Sequence, residues 1–142
     1  MKATLKYENL SVGQSDKLER EITQNMVNNF ADLTGDYNPV HIDQAFCEKL
    51  GLIGPIAHGM LTISLLSTFI GMFLPGNGSI IMNQTADYLL PVRVGDKVKI
   101  FGKITDKKMG DGLNLQIITI KYNIKNQNDQ TVVRGTVKVN LK

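Results

Sequence analysis

From Met60 to Leu74 the chain is apolar everywhere except at Thr62, Ser64, Ser67, Thr68 and Gly71. The run opens at Pro55 and stops at Pro75-Gly76. Proline suits a first helical turn, and Pro-Gly just past an end halts a helix. The pattern predicts one helix over Pro55 to Leu74. A helix apolar on nearly every face lies inside a protein or inside a bilayer. This run falls short of the roughly 20 apolar residues that span a membrane, and four of its residues carry hydroxyls. The expectation is a buried central helix that other elements wrap.

Upstream, the chain has a mixed lead-in, Tyr7 to Gln14, with a turn at Ser11-Val12-Gly13. Lys17 to Ile22 alternates and reads as a first strand. Thr23 stands as an N-cap ahead of Met26, Val27, Phe30, Ala31 and Leu33 at helical spacing, and Gly35 sits where a C-terminal glycine belongs. Asp36 to His41 reads as a turn-rich loop. Asp43 is placed to cap a short helix through Ala45, Phe46, Lys49 and Leu50, ended by Gly51, and Leu52 to Pro55 connects onward.

Downstream, the period falls to two. Ser79 to Leu90, Lys97 to Thr105, Leu113 to Lys125 and Thr131 to Leu141 are rich in Ile, Val, Thr and Tyr. Val98, Ile100, Gly102 and Ile104 share one side, against Lys97, Lys99 and Lys103. Val133, Gly135, Val137, Val139 and Leu141 oppose Arg134, Lys138 and Asn140. Gly95-Asp96, Gly110-Asp111-Gly112 and Asn126 to Asp129 supply the turns. One-sided alternation in consecutive strands means an antiparallel sheet with one wet face. Its apolar face needs a cover, and the buried helix is that cover. The fold class is α+β, a curved antiparallel sheet around a central apolar helix. That is the hot-dog architecture, with a generic α+β roll or a small barrel as the alternatives.

Composition narrows the function classes. The 142 residues fit a single domain over 1–142, and 42% hydrophobic with 20% charged residues is ordinary for a globular protein. A net charge of +3 with scattered Lys and Arg makes no nucleic-acid stripe, and is compatible with an anionic small ligand. One cysteine, Cys47, excludes an internal disulfide and a cysteine-rich zinc site. It points to a reducing, cytoplasmic setting. The first seventeen residues have no apolar core for a signal peptide. No phosphate loop, nicotinamide fingerprint or metal constellation stands out.

Imidazole chemistry is confined to His41 and His58, both near the central helix. Asp36 and His41 would stand about 17 Å apart in a straight strand, and five residues along a helix they would not share a face. Only a bend brings them together. Asn38-Pro39 supplies one, because Pro fixes its own φ and drives Asn38 to extended geometry. A carboxylate and an imidazole that converge hold a water and move a proton beside a carbonyl. The plainer alternative is a turn cap and an ordinary loop histidine. Gly59 falls in the first turn of the expected helix, where N–H groups lack internal partners and the dipole is positive. An enolate oxygen can approach there; the alternative is tight packing alone. Ser67 lies on the same side as Gly59 and Ile63, and binds either a ligand or its own helix carbonyl. Cys47 reads as a packing residue and Asp43 as a cap. Leu50, Leu52, Ile63, Leu66, Ile70 and Tyr88 are candidates to line a pocket.

Two blocks of residues then add to this. Phe30 to Asp43, FADLTGDYNPVHID, followed by Gly54 to Leu61, GPIAHGML, resembles the hydratase 2 motif of the MaoC-like hot-dog family. The likeness continues through Leu74 to Ile80 and Leu90 to Asp96, and covers about Leu10 to about Leu141. It is nearest to the short, single-domain (R)-specific enoyl-CoA hydratases that feed polyhydroxyalkanoate synthesis. The resemblance implies a homodimer or dimer of dimers, an acyl-CoA substrate, and neither metal nor organic cofactor. It makes Asp36 and His41 the catalytic pair that binds the reacting water. Gly59 becomes the glycine whose N–H polarises the thioester carbonyl, Ser67 a supporting site residue, and Asn38 the asparagine that shapes the loop. His41 is taken as base and Asp36 as acid, with the reverse left open. Tyr37 stands where Phe is common, Gly54 where a larger residue is frequent, and Ala57 where Val is common. The expected reaction is reversible addition of water to a trans-2-enoyl thioester, giving the (R)-3-hydroxyacyl thioester. The alternatives are a dehydratase acting on acyl-carrier-protein thioesters, and a non-catalytic acyl-thioester-binding module.

Overall fold

A computed structural model describes residues 5–111 and 114–142. Gly112 and Leu113, expected to close a turn and open a strand, lie outside the described residues, as do the first four residues of the lead-in. The elements run β1 (Ser15–Glu21), α1 (Gln24–Thr34), α2 (Pro39–Ile42), α3 (Gln44–Lys49), α4 (Gly59–Met72), β2 (Ser79–Gln84), β3 (Asp87–Tyr88), β4 (Lys97–Gly110), β5 (Leu115–Lys125) and β6 (Thr131–Leu141). Among the described residues the strands form one antiparallel sheet in the order β1-β4-β5-β6-β2, and β3 also pairs with β6.

The alternation in β4 comes out as read: Val98, Ile100, Gly102 and Ile104 are buried and the lysines between them are not. Together with Ile118, Ile120, Tyr122, Ile124, Val133, Val137 and Val139 they make an apolar face. Helix α4 lies against it. Its Leu61, Ile63, Leu65, Leu66, Phe69 and Ile70 are buried in the same core. Full burial of each such side chain favours the fold by about 1.5–3 kcal/mol. Helix and sheet come close at Gly102, where a Cβ would sit 2.5 Å from Phe69 Cε1. The sheet bends round the helix, which is the hot-dog fold, and no helix among the described residues is long and apolar enough to cross a membrane.

The upstream caps also match. The Thr23 side chain accepts from Met26 N, Gly35 closes α1 in the left-handed region at φ 76°, and the Asp43 side chain accepts from Phe46 N. These contacts fix where α1 stops and α3 begins, and so fix the ends of the Asp36 to Ile42 segment.

Five expectations need correction. The central helix begins at Gly59, not Pro55, because Ile56 N donates to Val40 O and Ala57 N to Val92 O, while Ile56 bridges Arg93. Those pairings hold Pro55 to Ala57 extended. Asp36 to His41 is not loop throughout, since Pro39 to Ile42 closes one helical turn capped by the Asn38 side chain, which accepts from Val40 N. Ser79 to Leu90 is not one strand. It shifts register between Ile81 and Asn83 and breaks after Gln84, where Tyr122 Oη donates to Thr85 O at 2.6 Å. Asn140 does not face water: it is buried, and its Oδ1 accepts from Gln116 N at 3.0 Å. Strand β4 also runs on to Gly110 through an irregularity between Ile104 and Asp106.

Candidate active site

The Asp36–His41 bend is built locally. Thr34 Oγ1 donates to Phe30 O and accepts from Asp36 N, so the end of α1 hands the chain directly to Asp36. Asp36 Oδ1 accepts from Asn38 N at 3.2 Å. Pro39 then starts α2, and His41 N donates to Asn38 O at 2.9 Å. One tight turn therefore replaces an extended span of five residues. The His41 Nε2 and Asp36 Oδ2 atoms end 3.9 Å apart. The two groups differ in environment. The His41 side chain is 10% exposed and that of Asp36 is 50% exposed. Tyr37, in the place where Phe is common, donates from its hydroxyl to Asp32 Oδ1 at 2.7 Å, and that bond raises its pKa above the usual phenol value.

His41 Nδ1 lies 2.8 Å from the carbonyl oxygen of Ile56. A carbonyl only accepts, so Nδ1 carries the proton and Nε2 is the nitrogen that exchanges protons. Val40, beside His41, is held twice, by Ile56 N and by the Cys47 thiol at 3.3 Å. Cys47 is buried and acts as a structural donor.

His58 sits behind the pair. Its ring packs against that of His41 with centroids 3.8 Å apart and a tilt of 31°, and against Phe30 at 4.9 Å with a tilt of 49°. Its Nε2 donates to the backbone carbonyl of Asp36 at 3.0 Å, and Nδ1 is buried with no hydrogen-bond partner. Asp36, His41 and His58 offer ligand-type atoms within 4.8 Å of one another. Two of their four ring nitrogens are already bonded to carbonyls. The arrangement suits a water beside Asp36 Oδ2 and His41 Nε2.

Gly59 follows His58 directly and is the first residue of α4. With the helix starting there, its N–H and the next two have no acceptor within the helix, and the positive end of the dipole lies at this residue. A Cβ at Gly59 would meet Tyr88 Cε1 at 3.0 Å. A cleft of about 250 Å³ opens beside it, lined among others by Ile56, Gly59, Thr62, Tyr88, Leu90 and Val133. Ala57 also lines it, whereas Gly54 packs on Gln44, where a Cβ would sit 2.9 Å from Oε1.

The remaining expected residues divide. Asn38 spends its side-chain oxygen on the α2 cap. Ser67 lies two turns along α4, about 12 Å from Gly59 at 1.5 Å per residue, and is exposed in the isolated chain. It is not drawn to the Asp36–His41 pair. Of the six expected pocket residues, Tyr88 lines the cleft, Ile63, Leu66 and Ile70 are core, Leu52 is half-buried outside the cleft lining, and Leu50 is 59% exposed. The Ile56 carbonyl is a backbone atom and leaves no residue-type signal in the sequence, and the place of His58 next to Gly59 does not reveal its contacts with Asp36 and His41.

An (R)-specific enoyl-CoA hydratase of Aeromonas caviae is 37% identical over 134 residues, 94% of this chain and 97% of that protein. A 3-hydroxybutyryl-CoA dehydratase of Methylorubrum extorquens is 40% identical over 96 residues, and the match spans 68% of this chain and 61% of that protein. The solved structure of an unliganded R-hydratase from Pseudomonas aeruginosa superposes with a TM-score of 0.88 at 31% identity, covering 97% of this chain and 86% of that one. The family model described as "MaoC like domain" matches residues 9–128, so this chain, with its helix-wrapping sheet and its Asp36 to His41 turn, belongs to the MaoC-like family.

Proposed function

We propose that the chain is an (R)-specific enoyl-CoA hydratase, a hydro-lyase that adds water reversibly across the trans-2 double bond of an enoyl-CoA. The observation that carries this reading is the 3.9 Å approach of Asp36 Oδ2 to His41 Nε2, with the other nitrogen of His41 tied to Ile56 O. An acyl-binding module has no use for such a pair. The relatives named as hydratases of enoyl-CoA support the substrate class.

In the hydration direction the pair carries one transferable proton, on Asp36. His41 Nε2 accepts a proton from water as the water oxygen bonds to C3. The electrons of the alkene move onto the thioester oxygen, and the Gly59 N–H donates to the enolate so formed. Asp36 gives its proton to C2, the enolate collapses, and His41 returns the proton to Asp36. One water held by both groups reaches one face of the alkene, so addition is syn. CoA is the handle of the substrate, and no cofactor is needed to balance the step.

The chain acts as a homodimer in this reading. Strand β2 ends the sheet order and presents Ile80, Ile81 and Met82, each at least 41% exposed. An apolar sheet edge is an aggregation liability unless paired, and a second copy pairs it. The test is to follow hydration of crotonyl-CoA beside the same acyl group on a carrier protein. Faster turnover of the CoA thioester supports the proposal. Preference for the carrier thioester moves the chain to the dehydratases of fatty-acid synthesis, and free CoA release marks a thioesterase.

A further inference from the structure

The mechanism uses Asp36, His41 and Gly59, yet the most buried imidazole of the site belongs to His58, which is 2% exposed. We infer that His58 is a positioning residue that holds both members of the water-binding pair in place. This rests on the hydratase reading for its catalytic consequence and on geometry alone for the positioning itself.

Two separate contacts carry the inference. The Asp36 carbonyl oxygen can only accept, so His58 Nε2 is the donor across 3.0 Å, and this bond fixes the backbone at Asp36. The same ring lies between Phe30 of α1 and His41 of α2, 4.9 and 3.8 Å from their centroids. It thereby fixes the plane of the His41 ring, while Ile56 O fixes its rotation within that plane. Ile56 and His58 are two residues apart on the short segment that leads into α4. One rigid stretch thus sets both catalytic groups and the Gly59 N–H at once.

The unpartnered Nδ1 separates this from simple packing. A proton on Nε2 leaves Nδ1 bare, and it is buried with no hydrogen-bond partner. Phenylalanine would fill the same flat space between Phe30 and His41 without stranding a polar atom. What histidine adds over phenylalanine is the Nε2–H that reaches Asp36. What it adds over glutamine is the ring that packs against His41.

Three substitutions take the contacts apart. His58→Phe keeps the ring and deletes the donor. His58→Gln keeps a donor and deletes the ring. His58→Ala deletes both. With only His41 and His58 in the chain, each variant leaves a single histidine, so long-range nitrogen–proton NMR reads the His41 tautomer directly. The wild type is expected to show His41 protonated on Nδ1. His58→Phe should retain that form, and His58→Gln and His58→Ala should give mixed tautomers. In kinetics on crotonyl-CoA, kcat should fall about tenfold in the Phe and Gln variants and about a hundredfold in the Ala variant, with KM within about twofold. A single-tautomer His41 in His58→Gln, together with unchanged kcat in both the Phe and Gln variants, overturns the inference. Should the Ala variant fail to fold, the other two still decide. A wild type that turns over no enoyl thioester, but whose His41 form is lost in His58→Gln, removes the hydratase reading and leaves the positioning intact.

Discussion

His41 Nε2 faces Asp36 Oδ2 across 3.9 Å because Pro39 closes the chain between them into a single helical turn. The turn depends on Asn38, whose side chain caps it through Val40 N. Asn38→Ala removes that cap while leaving Pro39 and both reacting groups in the chain. Loss of an N-cap costs about 0.5–2 kcal/mol. The expected outcome is a lower denaturation midpoint and a reduced kcat, with KM little changed. Equal kcat in wild type and variant would mean that the turn is held without its cap.

Gly59 and Tyr88 are coupled by contact. A methyl group at position 59 sits 3.0 Å from Tyr88 Cε1, so Gly59→Ala has to displace the Tyr88 ring or shift the start of α4. Either change moves the N–H meant for the enolate. Turnover is expected to fall by about 10²-fold, the scale seen when one oxyanion donor is lost. In a Tyr88→Ala background the same change should cost far less. Losses that simply multiply would show that Tyr88 is not the obstacle.

Gly102 makes a separate stability prediction, because it is where helix meets sheet. Gly102→Ala places a methyl 2.5 Å from Phe69 Cε1 and 3.2 Å from Ile120 Cγ2. Overpacking of this kind costs about 1–3 kcal/mol. Urea unfolding should show a lower midpoint with an unchanged slope, and Phe69→Leu should restore part of the loss.

Tyr122 sets the alkaline limit. It is 1% exposed, and burial first, then the nearby Tyr88 and Asp87, push its pKa up to about 12 from 10.0. A raised pKa means that the folded state keeps the phenol proton longer than the unfolded chain does. The corresponding stability is fully present below pH 10 and is lost as pH rises from 10 through 12. Denaturation midpoints measured across that window should fall, and should fall less steeply in Tyr122→Phe. That variant is also expected to be weaker at neutral pH, since it lacks the bond to Thr85 O.

The edge strand gives the assembly prediction. Light scattering is expected to return twice the chain mass or four times it. Ile80→Lys with Met82→Lys puts charge on the β2 edge and should shift the protein toward monomer. A wild type that stays monomeric at high concentration contradicts the dimer.

Much of this architecture was legible because it is written in periodicity. The all-round apolar run, the alternation of β4 and the caps at Thr23, Gly35 and Asp43 are local signals, and each gave the element that the structure contains. The misreadings arose where distant backbone wins over local pattern. Pro55 to Ala57 looks helical by composition, yet its N–H groups pair with Val40 and Val92, far away in sequence. Asn140 looks like a solvent-side residue by parity, yet the Gln116 N–H draws it inside. In the site, side-chain types offered Asp36, His41 and Gly59 as candidates with plainer alternatives beside them, and the resemblance to the hydratase 2 motif chose the catalytic reading. The Ile56 carbonyl and the contacts of His58 had no such mark, because a hydrogen bond to backbone follows only from the folded path of the chain.

The central claim is the chemistry of the Asp36–His41 pair, and the most direct measurement is hydration of crotonyl-CoA, read as loss of enoyl absorbance with an (R)-specific dehydrogenase reporting the product. Asp36→Asn and His41→Ala are run alongside the wild type. The account predicts fast formation of the (R)-3-hydroxy product, a loss of about 10²–10⁴-fold in each variant, and a double variant little worse than the poorer single one, since the two groups act on one water. A wild type inert toward short and medium enoyl-CoA, or variants that keep its rate, would contradict it.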